Sequence, residues 1–359
     1  MNKKFFIFPV LFLLILLLRF FLFPRILPPE PEIERMWAKS IPAPEAAGYG
    51  VANMDDEPPM HFRLGDIIGY FRRDGSFLQT ENVLFSAAID DNFYCNFGKI
   101  SREILIMDYL GRIYSRLTAS GYPMIREGRF FTIATNRGGI SEYNENGEIL
   151  WSRKFNGTIT DIDVTENMIA VGVSSGEVYV LGDEGTILST VSETPGRIAV
   201  VYGCTLSEQT GQAAVLSGID PQTLGLYNLD KDTPLPEAEH LTGTDFRRRT
   251  FITFVKEGEE IVYESGDGIA FFNPSRGTAR ETVIKGRIRG FSEDTGSNLS
   301  GAVFSNDSEN SGSFSLMSPE RYLFMSGKMP DAELYIRMED GLIFLGSGKT
   351  IAAFLLSLG

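Results

Sequence analysis

Near its C-terminus the chain reads Gly346-Ser347-Gly348-Lys349-Thr350, the residue types of a loop that cradles phosphate with backbone N–H groups and a lysine. That loop needs a further glycine five positions before Gly348, and position 343 holds Ile. It also needs a following helix and an acidic magnesium ligand, whereas only nine residues follow Thr350 here. The better reading is a hairpin, with GLIFLGSG and KTIAAFLLSL as strands and the turn at Ser347–Lys349. No nucleotide is expected.

Other chemistry is sparse. His61 and His240 are the only histidines, which leaves acid–base or metal chemistry few candidates. Cys95 and Cys204 lie far apart without metal or redox spacing; two buried thiols is the preferred reading, a disulfide the other. Acidic residues gather in TDIDVTEN (Asp161, Asp163, Glu166) and SNDSENSGS (Asp307, Glu309) without the ligand alternation of a calcium loop, so both are read as solvated turns. No catalytic, cofactor or metal site is expected, and the protein is read as a non-enzyme. Arg247, Arg248 and Arg249 form the one basic run that could dock a partner, because guanidinium forks match carboxylates and phosphates. An ordinary solvated connection into the strand FITFVKEG is the alternative.

The elements that would hold these groups repeat. Gly75-Ser-Phe-Leu-Gln-Thr, Gly111-Arg-Ile-Tyr-Ser-Arg, Gly147-Glu-Ile-Leu-Trp-Ser and Gly185-Thr-Ile-Leu-Ser-Thr align without gaps, 36, 36 and 38 residues apart. Each follows a short apolar–polar alternation, which is strand periodicity, and the glycine suits a hairpin turn. Weaker turns near Gly225, Gly277 and Glu320 continue the series at a mean period of about 41 residues. Helical i, i+3, i+4 patterning is absent. Such a period in short strands signals an all-β β-propeller. Residues 332–358 supply strands without a turn phrase, and residues 61–80 a turn phrase without the strands before it. Joining the two ends into one composite blade closes the ring and removes open sheet edges. The count becomes seven four-stranded blades, with six and eight as neighbours. The Arg247–Arg249 run falls in the long interval of 52 residues between Gly225 and Gly277.

The phrase from Asn146 to Trp151, NGEILW, resembles the turn of pyrroloquinoline-quinone-type propeller repeats, related in architecture to WD-repeat propellers. One blade carries the full phrase; Gln79, Ser115 and Ser189 stand where its neighbours would have the tryptophan. The quinone-dependent members use adjacent cysteines, and none occur here, so no cofactor is implied. A non-catalytic propeller of this kind is similar to the propeller lipoproteins of the outer-membrane barrel-assembly machinery, which implies partner binding through loops.

Composition bounds the rest. The 359 residues are 43% hydrophobic, enough for a sizeable core, and 33 basic against 47 acidic residues give a net charge of -14. That balance argues against nucleic acid as a partner. A basic tail (1–4) precedes the apolar run 5–23, long enough to span a bilayer as an uncleaved signal anchor; a cleaved signal peptide is the competing reading. Residues 24–59 hold eight of the 17 prolines and read as an extended stalk before a propeller over 60–359. The expectation is a single-pass bacterial inner-membrane protein with a periplasmic propeller, scaffolding envelope proteins. A propeller enzyme of the metal-dependent lactonase or lyase type, or a small-ligand sensor using the central channel, is the alternative.

Overall fold

A computed structural model of the chain describes residues 31–44, 58–98, 103–192, 200–230, 234–266, 268–297, 299–306, 308–318 and 323–358. Its strands form eight antiparallel sheets arranged as the blades of a β-propeller. Blade 1 comprises Met60–Leu64, Ile67–Phe71 and Phe77–Asn82. Blades 2 to 7 have four strands each. Their innermost strands are Ser86–Ile89, Tyr122–Arg126, Ile159–Val164, Val201–Ser207, Ile252–Val255 and Arg287–Asp294. Their outermost strands are Ile113–Thr118, Ile149–Lys154, Ile187–Ser192, Pro236–Leu241, Thr278–Val283 and Leu323–Met329. Blade 8 runs Leu334–Glu339, Leu342–Ser347 and Thr350–Leu358, and its outer strand is Pro31–Ser40 from the other end of the chain.

The expectation of seven blades is therefore corrected to eight. Turn phrases mark the hairpin into an outermost strand, and a blade whose outer strand comes from the N-terminal side has no such hairpin. Counting phrases thus misses one blade. The composite blade expected from residues 61–80 and 332–358 is two blades, and Pro31–Ser40 completes the second by pairing along Thr350–Leu358. Residues 31–40 belong to the ring and not to a stalk. Proline density misled there because the backbone from Glu32 to Ser40 is proline-free and free to pair.

Blades are held together face to face. Ala170, Val178 and Val180 of blade 4 pack on Val201, Cys204 and Leu206 of blade 5, and all are buried. Fully buried aliphatic side chains contribute roughly 1.5–3 kcal/mol each, so every junction is a core of its own. Gly225, expected at a turn, lies mid-strand in Thr223–Asn228 with the Tyr227 ring against its α-carbon face. Gly277 does close a turn, with φ of +61°. The GSGKT stretch is a hairpin: Ser347 pairs with Thr350 across Gly348, whose φ is +58°.

Among the described residues no helix is long and apolar enough to cross a membrane. A single-pass inner-membrane protein is not supported, and the apolar run 5–23 on which that expectation rested lies outside the described residues.

Candidate functional site

Innermost strands face a common axis, and their alternation sends every second side chain into the space they enclose. Among the described residues, cavities of about 650, 260 and 360 Å³ lie along this lumen. The largest is lined by blades 1, 2, 3, 7 and 8, the smallest by blades 3 and 4 with Arg249, and the third by blades 4 to 7. Arg126 borders the first and second, Arg249 the second and third, and Arg289 the first and third.

The basic run leads directly into the innermost strand of blade 6, which places it at the lumen instead of on an outer loop. Arg248 grips Glu264 with two parallel bonds of 2.8 and 2.7 Å and stacks over the Phe246 ring at 4.5 Å. Glu264 is buried, so this fork is the cation that compensates it. Arg249 donates Nε to Asp161 Oδ1 at 2.5 Å, while its side chain remains 65% exposed toward the lumen. Arg247 is exposed. Two of the three residues expected to dock a partner thus bind carboxylates of their own ring.

Asp161 and Asp163 are not solvated turn residues. They sit on the innermost strand of blade 4 and reach across to blade 5. Asp161 Oδ2 accepts from the Cys204 N–H at 3.0 Å. Asp163 Oδ2 accepts from the Leu206 N–H at 2.8 Å and the Thr205 hydroxyl at 2.9 Å. These bonds tie two blades that share no sheet. Burial raises the pKa of both carboxyls, opposed at Asp161 by Arg249 and at Asp163 by the Leu206 N–H. Glu166 lies in the exposed turn after this strand, as expected.

Blade 1 shows three strands among the described residues, and across its inner end blades 8 and 2 meet directly. Asp91 Oδ1 accepts from Arg337 Nη1 of blade 8 at 2.5 Å and pairs with His61 Nδ1 of blade 1 at 2.7 Å. Burial would raise the Asp91 pKa, but the hydrogen bonds from His61 and Arg337 outweigh it and hold the carboxyl below its ordinary value. His240 stacks on Phe272 at 5.1 Å and meets the Tyr263 hydroxyl at 3.0 Å, away from this seam. Cys95 and Cys204 are free, buried thiols; burial pushes Cys95 up to about 12. Among the described residues no group of three or more His, Cys, Asp or Glu is placed to hold a metal ion.

A second recurring feature lies on the rim. The outermost strands of blades 2, 3 and 4 carry a register shift just after their first residue: Ile106 pairs with Ser115 but Met107 with Ile113, and the same shift recurs at Ile149 and Ile187. The extra residue is Tyr114, Leu150 or Leu188, at 44%, 57% and 58% exposure. Pro31–Ser40 repeats the shift between Arg35 and Trp37, with Met36 53% exposed. A bulge bends the strand and re-aims the next side chain. In blades 3 and 8 that next side chain is a tryptophan lying over the neighbouring blade's turn glycine: Trp151 over Gly185 and Trp37 over Gly75.

Sequence reading placed Trp151 in its repeat but missed Trp37, Arg126, Asp91 and Arg337. The Met-Trp pair at 36–37 parallels Leu150-Trp151 and was the available signal. Lumen residues had none, since strand alternation does not say which face meets the axis.

A family model described as beta-propeller protein matches residues 1–357. Over 216 residues, 60% of this chain, the sequence is 24% identical to an uncharacterized protein of Treponema pallidum (strain Nichols), and the match spans 57% of that relative's length. In fold, the chain is similar to BamB from Moraxella catarrhalis (TM-score 0.57, 11% identity, 90% of this chain and 100% of that one). It is similar also to the computationally designed Ika8 protein (TM-score 0.61, 12% identity, 86% and 100%).

Proposed function

The chain belongs to the β-propeller protein family, and on that premise we propose that it is a non-catalytic scaffold that binds other proteins along its rim. The observation that carries this reading is the repeated exposure of an apolar bulge residue, Tyr114, Leu150 and Leu188, on three consecutive outer strands. Tyr114 is in part a packing residue, resting on Phe93 and on Phe130 of blade 3 and donating to Glu145, whereas Leu150 and Leu188 are more than half exposed. Their neighbours Ile113, Ile149 and Ile187 are also 46–57% exposed, so each blade presents an apolar pair. Apolar groups recurring at blade spacing suit a partner segment laid across several blades. Within propellers, the tryptophan laid over a turn glycine supports a place near the pyrroloquinoline-quinone-type repeats, without their cofactor.

The test is a photoreactive residue at Leu150 in living cells. It should trap a defined set of proteins, while the same residue at Glu309, in the exposed turn before Ser311–Met317, should not. With the photoreactive residue kept at Leu150, replacing Ile187 and Leu188 with Ser should deplete those adducts without lowering the melting temperature. Identical adducts from Leu150 and Glu309, or an unchanged set after the Ile187→Ser/Leu188→Ser change, would eliminate rim docking.

A further inference from the structure

The smallest lumen cavity, about 260 Å³ between blades 3 and 4, is bordered by three guanidinium groups, Arg126, Arg137 and Arg249, and by one carboxylate, Asp161. Asp161 is already engaged: Oδ1 takes Arg249 Nε and Oδ2 the Cys204 N–H. Arg126 donates Nη1 only to the carbonyl of its own neighbour, Ile125, at 2.9 Å. Arg137 sits in the turn between the second and third strands of blade 3, its backbone at φ +55° and its carbonyl accepting from the Ile159 N–H. Its guanidinium lies 5.9 Å from the Tyr122 ring centroid, at the cavity wall. Thr160 also lines the cavity, and its hydroxyl is buried without a protein hydrogen-bond partner. Such a group calls for a partner that the chain does not provide.

In a protein of net charge -14, the cavity wall itself carries three arginines and one carboxylate, with Asp163 and Asp90 behind it. Guanidinium groups stay charged; burial and then Arg249 push the Arg126 pKa down against the attraction of Asp163, Asp90 and Asp161, and its guanidinium hydrogen-bonds none of these carboxylates. The remaining wall is apolar: Met124, Ile133, Ile159 and Ile162. We propose that this cavity binds a small organic anion, its phosphate or carboxylate group held by Arg126, Arg137 and Arg249 and its carbon skeleton lying against Met124 and Ile162. The volume suits a small metabolite and excludes a folded protein segment. The site is independent of rim docking, and neither depends on the other.

Titrating the intact protein with sodium phosphate and, separately, sodium malonate, each against sodium chloride at equal ionic strength, distinguishes a phosphoryl from a carboxylate ligand. One of the two should bind with a saturable heat and raise the melting temperature. Arg126→Gln and Arg137→Gln should each weaken that binding about tenfold, the equivalent of one charge-assisted hydrogen bond. Arg126 and Arg137 hydrogen-bond no carboxylate, and Asp163 beside Arg126 keeps its bonds from Thr205 and Leu206, so both variants should fold; Arg112→Gln, on an exposed turn, is the control and should bind as before. On the unmodified protein, the same anion should protect Arg126 and Arg137 from phenylglyoxal, read by mass spectrometry. Binding no stronger than chloride, binding retained in the double Arg126→Gln/Arg137→Gln variant, or absence of protection would overturn the proposal.

Discussion

Two junctions of the ring use the same contact under different connectivity. At the junction of blades 3 and 4, Trp151 lies over Gly185, and at the junction of blades 8 and 1, Trp37 lies over Gly75. Both glycines have positive φ, +67° and +79°, and an added Cβ would sit 2.4 and 2.9 Å from the indole ring. Both indoles donate to a turn carbonyl, Trp151 to Asp183 at 3.0 Å and Trp37 to Arg73 at 2.8 Å. Two residues further on, a basic side chain follows in each: Arg153 donates to the Gly185 carbonyl and Lys39 to that of Asp74. Yet Trp151 belongs to a blade that is contiguous in sequence, and Trp37 to a strand whose partners begin at Thr350. The environments diverge accordingly. Trp151 also donates to Glu142, which is gripped by Arg129, a polar triad inside one blade. Trp37 stands among Phe71 and Phe344 at 6.2 and 6.1 Å. The closing junction is therefore held by aromatic packing and by Arg73 paired to Glu339 and Asp340, all between segments remote in sequence, and the interior one adds hydrogen bonds within its own blade. Docking geometry is indifferent to chain order, whereas the forces behind it are not.

The largest expected effect comes from removing the closing strand. Without residues 31–44, the edge of Thr350–Leu358 and the apolar side chains under Ile33 and Trp37 are exposed. Thermal unfolding should move far down in temperature or give way to aggregation; a truncated chain that melts like the intact one would refute closure by this strand. Next, Trp37→Ala and Trp151→Ala should each cost about 2–4 kcal/mol in denaturant unfolding. The Trp151 change should be the one partly relieved by also replacing Arg129 and Glu142, since only that indole is coupled to a buried pair; equal relief at both sites would erase the distinction. Gly75→Ala and Gly185→Ala should each lose about 1–2 kcal/mol from the left-handed backbone alone, and more at Gly185, where the ring is nearer.

A smaller effect is expected from pH at the seam between blades 8 and 2. The folded-state pKa of Asp91 is depressed, so its contribution is complete above the unfolded value of about 3.9 and is lost as pH falls through the folded one. Asp91→Asn should therefore lower stability at neutral pH and flatten the acid limb of the stability curve. With the Asp91 side chain 42% exposed, solvent screening keeps this to about 1 kcal/mol or less. A variant with the same acid limb as the parent would show that the seam does not depend on this carboxylate. Least of all, Lys349→Ala should leave stability within about 0.5 kcal/mol, as befits an exposed hairpin turn.

The repeat phrases were legible because a hairpin is a local object. Gly75, Gly111, Gly147 and Gly185 supply a positive φ that few other residues adopt cheaply, and apolar alternation on either side is enough to specify two paired strands. All-β content, propeller architecture and the hairpin at GSGKT follow from such local facts. Blade number does not. It depended on whether Pro31–Ser40 pairs with Thr350–Leu358, a contact across nearly the whole chain that no period announces. The lumen was equally hidden. Asp161 and Arg249 are 88 residues apart, and Asp91 and Arg337 are 246 apart. Their encounter is set by how eight wedge-shaped sheets pack around an axis. A strand's own sequence fixes that its side chains alternate, but only the assembled ring decides which of the two faces meets the neighbouring blade and which side chains reach the lumen.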